Sequence, residues 1–214
     1  MRGTLLIIVA FSVLMSAYAD DIEWKDKEVE DITPYPDIPD NGDSIKKKEV
    51  DESVNESTIK KETRMGGWFG KPCTFKVCYV TWDWIIKNVL RDINTQMLTE
   101  EEAESLISGK KEGYLKNEIF TVLTYVDDAQ EKDGNLENWN VILFDENGNR
   151  YEPVEIDHDE LKDISYEYFG STLYVFRRYG IYFDKLPEDK GKIELVIAGG
   201  YSDDKKLGFR WIFK

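Results

Sequence analysis

The chain has 214 residues, with 43 Asp and Glu against 28 Lys and Arg, and a net charge of −15. Such acidity repels nucleic acid and anionic membrane surfaces, which sets both aside as partners. Two cysteines and a single histidine are too few for a structural zinc centre, and an H-E-x-x-H site is impossible.

The opening MRGTLLIIVAFSVLMSAYA has a basic n-region at Arg2, an apolar run from Leu5 to Met15 and a small-residue cleavage motif at Ala17-Tyr18-Ala19. That order is a secretory signal peptide over residues 1–19. The run is shorter than the ~18–20 apolar residues that a membrane span needs. A secreted or periplasmic product without a membrane span after signal cleavage is therefore expected. Residues 20–64 follow with fifteen acidic and eight basic side chains and few large apolar ones. A stretch so poor in burial cannot offset its chain entropy and reads as a disordered acidic arm or linker. Residues 65–214, net −9, hold most of the aromatic and β-branched residues and suit one domain.

In that domain CTFKVCYV alternates apolar and polar residues from Cys73, a strand signature. Five positions apart on a straight strand, Cys73 and Cys78 point to opposite faces and cannot close a disulfide, so two free thiols are expected, with Cys73 on the buried face. The spacing of Trp82, Ile85, Ile86, Val89, Leu90, Ile93 and Met97 is helical, and Thr99 with Glu102 forms a capping box opening a second helix. Gly109 closes it, giving a helical insert over 82–109 that covers the domain's own core.

Strands resume with EIFTVLTYV, NWNVILFD and RYEPVEI. The last two join through Glu146-Asn147-Gly148-Asn149, which suits a type I′ hairpin with Asp145 opposite Arg150 and Phe144 opposite Tyr151. ISYEYF and TLYVFRRYGIYF flank Gly170-Ser171, a type II′ candidate, and KIELVIAGG and KLGFRWIFK finish the chain. Short strands with turns between them predict a mainly β protein: an antiparallel β-sandwich carrying a helical hairpin insert, with an α+β open sheet as the alternative. The spacing resembles immunoglobulin-like modules in general terms.

Candidate sites are few. Asp145 to Asn149 superficially suits calcium, but glycine and glutamate do not fall where a binding loop places them. Asp157, Asp159 and Glu160, beside His158 and Asp163, are weak metal candidates, and acids there equally suit a solvated turn or helix start. No catalytic constellation stands out, and no cofactor is called for. The binding candidates are Tyr166, Tyr168, Tyr174, Phe176, Arg177, Arg178 and Tyr179, an aromatic hairpin with two cations. The sequence thus points to an exported non-enzymatic interaction or structural module of the cell envelope with a protein partner. A glycan- or small-ligand-binding sandwich comes second and a carboxylate-dependent hydrolase third.

Overall fold

A computed structural model of the chain describes residues 23–29, 57–64, 72–127, 134–158, 164–169, 172–187, 190–199 and 205–213. The signal sequence, most of the acidic stretch and the Gly66–Gly70 segment lie outside these residues. So do Asp159, Glu160, Asp163 and the Gly170-Ser171 turn.

Among the described residues, eleven strands form two packed sheets. β1 (Glu23–Val29), β11 (Lys205–Phe213), β10 (Lys192–Gly199), β5 (Trp139–Asp145) and β6 (Arg150–Tyr151) make a five-stranded sheet in that order. The six-stranded sheet runs β2 (Thr58–Arg64), β3 (Pro72–Tyr79), β4 (Asn117–Asp127), β9 (Thr172–Asp184) and β7 (Glu155–Asp157), with β8 (Ile164–Phe169) also on β9. All pairings are antiparallel except β1 with β11. The sandwich with a helical insert therefore holds, and the open α+β sheet does not.

Period-two patterning builds the core. Phe75, Val77 and Tyr79 from β3, and Phe120, Val122 and Val126 from β4, face Leu143, Ile193, Leu195, Ile197, Phe209 and Trp211 of the other sheet. Aromatic edges lock the layers: Phe75 meets Trp139 at 5.2 Å and Phe120 meets Trp211 at 5.3 Å between ring centroids. The Trp211 indole donates to the Ser57 carbonyl at 2.8 Å, tying the start of β2 to the opposite sheet.

Two parts of the acidic stretch are thus strands. β2 inserts Ile59 into the core and pairs with β3, while β1 pairs with β11. Composition correctly registers how few apolar residues these strands have, but backbone pairing at a sheet edge needs few. The folded unit accordingly begins before residue 65.

Among the described residues the α-helices are α1 (Trp82–Gln96) and α2 (Glu100–Lys116). Thr81 caps α1, and the Thr99–Glu102 capping box is present. Gly109 does not end α2, which continues two turns to Lys116, because a glycine stops a helix only where the chain turns left-handed. That conformation falls instead on Met97 (φ 53°, ψ 45°), which caps α1 and is 89% exposed rather than part of the apolar stripe. Trp82, Ile85, Ile86 and Val89 form a second cluster with Val80, Ile119 and the half-buried face of α2, separate from the sandwich core. The insert therefore packs at one end of the six-stranded sheet and not over the main core.

Two other expectations are corrected. RYEPVEI is not one strand: Pro153 has no N–H to continue a ladder, so β6 stays with β5 and β7 crosses to β9. The hairpin register is Phe144 opposite Arg150 and Leu143 opposite Tyr151, one residue away from the type I′ expectation. Only Gly148 has positive φ (79°), so the loop is a type I turn with a left-handed glycine, closed by Gly148 N–H to Asp145 O at 3.1 Å.

At the end of the core where β4 begins, a carboxylate is buried. Glu118, fully enclosed, accepts from Lys190 Nζ, from the Tyr79 hydroxyl at 2.7 Å and from Leu186 N–H at 3.3 Å, with Lys185 Nζ at 3.5 Å. Burial raises its pKa, but Lys190, Lys185 and Tyr79 outweigh that and hold it below the usual carboxylate value. Its contribution to stability is thus present above the unfolded value near 4.5 and is lost as pH falls through the lower folded pKa.

Cys73 and Cys78 are both free, on opposite faces as expected. Both are buried, however: Cys73 in the core, and Cys78 at 3.2 Å from the Ser57 hydroxyl. Thiol titration should therefore find no reactive thiol in the native protein and two in denaturant without reductant. A reductant requirement would reveal a disulfide. Glu118→Ala should cost about 3–5 kcal/mol in urea unfolding by stranding Lys190, and Glu118→Ala with Lys190→Met should recover part of it.

Candidate functional site

The predicted aromatic hairpin forms, but its side chains divide between two faces. Cross-strand partners point the same way, and the β8–β9 register pairs Ile164 with Arg177, Tyr166 with Val175 and Tyr168 with Leu173. Ile164 and Tyr166 thus share the core-side face of the sheet with Arg177 and Val175, whereas Tyr174, Phe176 and Arg178 face outward, and the Tyr168 side chain lies outside the described residues. Tyr166 and Tyr174 therefore cannot serve one flat ligand together.

Arg177 and Tyr179 are buried in the sandwich, which removes both from any open surface. The Tyr179 hydroxyl accepts from Leu136 N–H at 3.3 Å and donates to Asn135 Oδ1 at 3.2 Å. Burial raises its pKa against the opposing pull of the Leu136 N–H and the neighbouring Arg177. His158 stacks on the same ring at 4.4 Å and donates through Nδ1 to the Arg178 carbonyl at 2.8 Å. It thus continues the β7–β9 pairing toward β8.

The calcium-like loop is likewise self-contained. Asp145 Oδ1 accepts from Asn147 N–H and Asn149 N–H at 2.9 and 2.8 Å. Its Oδ2 accepts from the Asn149 amide at 2.7 Å and the Tyr151 hydroxyl at 3.1 Å. Against the opposing effect of desolvation, these bonds from Asn149, Tyr151 and Asn147 hold the carboxyl below its usual pKa. The oxygens a cation would use are occupied by the turn. Among the described residues, no group of three or more His, Cys, Asp or Glu suited to a metal occurs, around Asp157 at the end of β7 or elsewhere.

What remains is the outer face of the six-stranded sheet. Here Tyr125 of β4, unremarked in the sequence, joins Tyr174 and Phe176. Tyr125 stacks on Tyr174 at 4.6 Å with planes 10° apart and lies 4.5 Å from Phe176. All three are half-buried, standing as a wall along the sheet. Beside the wall runs a row set by register: Lys60 of β2, Lys76 of β3, Leu123 of β4 and Arg178 of β9. The three cations are exposed. Tyr125 could have been found only from the β4–β9 register, which pairs residues 51 positions apart.

No protein-family model matches the chain, and no curated protein matches it in sequence.

The division of faces has a measurable outcome. Tyr179→Ala should destabilise by about 3–5 kcal/mol, as expected for a large buried ring. Tyr166→Ala, at a position 55% exposed, should stay within about 0.5 kcal/mol of the parent in the same urea titration.

Proposed function

We propose that the chain is an exported, non-enzymatic interaction module of the cell envelope that meets a protein partner through the outer face of the six-stranded sheet. The observation that carries this reading is the aromatic wall of Tyr125, Tyr174 and Phe176 beside three exposed cations. Aromatic rings give large contact area at small cost in side-chain entropy, and arginine beside them adds directional hydrogen bonding. The non-enzymatic reading is supported by the use of Glu118, Asp145 and His158 in holding elements together. Export rests on the N-terminal sequence.

A glycan is the second reading, and the Tyr125–Tyr174 stack is what favours it, since a sugar ring can lie on such a face. Photo-crosslinking in native extract separates the two. Benzoylphenylalanine at Tyr174 should give a discrete protein adduct that free sugars do not compete away. The same group at Asn140, exposed on the other sheet, should give none. Equal labelling from both positions, or loss of the adduct with sugar, would overturn the proposal.

A further inference from the structure

Away from the sheet face, we infer that the helical insert is a self-association surface. In it α2 packs antiparallel against α2 of a second copy of this chain, with Leu106 of each copy at the two-fold axis. A groove of about 790 Å³ opens along the hairpin, lined by Asp92 and Gln96 of α1 and by Glu102, Leu106 and Lys110 of α2. α2 has 17 residues and buries none of them; Leu106, Ile107 and Tyr114 are only half-covered by α1 and its surroundings. Helices draw most of their stability from packing an apolar face, and here that packing stops halfway.

Charge order selects a second copy as the occupant. Glu102, Leu106 and Lys110 stand four residues apart and form one ridge of the helix, with an acid at one end and a base at the other. A second ridge of the same sequence, reversed beside it, sets Glu102 against the other copy's Lys110 at both ends and leucine near leucine between them. A two-fold interface needs this self-complementarity. Both groups are available for it. Lys110 has Leu106 and Tyr114 four residues away and Ile107 and Gly113 three away, so no carboxylate of α2 is placed to pair with it. Nor does it pair with any other described residue. Glu102 makes both of its bonds to Thr99 through Oε2, which leaves Oε1 open.

Relief agrees with charge. Beside the ridge runs a shallow row at the same spacing: Ser105, Gly109 and Gly113. Glycine is a poor helix former, and nothing within the chain requires it here, since a Cβ at Gly109 or Gly113 would meet no atom within 4 Å. Small residues in such a row let the ridge of a second helix settle close, ridge into groove.

The test is sedimentation velocity on the purified protein at physiological salt, where a Debye length of ~8 Å screens the net repulsion between copies. Reversible, concentration-dependent dimers are expected. Lys110→Glu, which sets carboxylates face to face, should weaken association about ten-fold. Glu102→Gln should weaken it in the same direction, while glutamine retains the capping box. Gly109→Leu should fill the shallow row and weaken association by a similar factor. The same change should raise the monomer's melting temperature by circular dichroism in dilute solution, because leucine favours the helix. Those opposite movements separate a lost contact from a lost fold. Leu115→Glu, at an exposed position nine residues from Leu106 and so on the far side of α2, should leave association unchanged. A protein monomeric at every concentration, its groove left to some other occupant, would overturn the inference. So would a dimer indifferent to both Lys110→Glu and Gly109→Leu, or one weakened equally by Leu115→Glu.

Discussion

Trp211 sits where the two sheets meet, and most of the architecture is organised around its burial. Its ring packs against Phe120 and Tyr79 of the opposite sheet, and its indole N–H is satisfied by the Ser57 carbonyl. A buried indole without an acceptor would cost free energy, so the start of β2 has to lie where it does. That position in turn brings Ser57 against Cys78 and lets Ile59 complete the core edge. Nearby, Tyr79 reaches Glu118, and Lys190 lies over both the Tyr79 and Phe213 rings. One end of the sandwich is therefore closed by a chain of contacts that runs from an indole to a buried ion pair.

Charge is divided unevenly over this frame. Several carboxylates are engaged internally: Glu118 with lysines, Asp145 with its own turn, and Glu194 with Arg210, which also reaches Asp26 of β1. Lys60, Lys76 and Arg178 are exposed on a single sheet face. Net charge thus describes solubility and long-range encounter, while the register of four strands decides what the surface presents at contact distance.

Local patterns made much of the fold readable. Alternation located β3, β4, β5, β10 and β11, and Thr99 with Glu102 announced α2 correctly. Failures came where one local rule met a competitor. Asn147-Gly148 suited a tight turn, but the Asp145 carboxylate drew in two backbone donors and lengthened the loop by one residue. Gly109 looked like a helix stop, yet nothing forces a left-handed turn there. β1 and β2 were hidden because edge strands of charged residues are held by backbone pairing, which leaves little trace in hydrophobicity. The candidate face was legible only in part. Tyr174, Phe176 and Arg178 were named from sequence, but Tyr125, Lys60 and Lys76 join them through pairings that no local spacing encodes.

The placement of β1 makes two strands far apart in sequence depend on one another. β1 runs parallel to β11 along its whole length and also touches β2, so it lies at the seam between the two sheets. Without β1, the outer edge of β11 would present unpaired backbone groups, a ready template for a strand of another molecule. A charged strand that adds little to the core thus acts as a guard against edge-to-edge association.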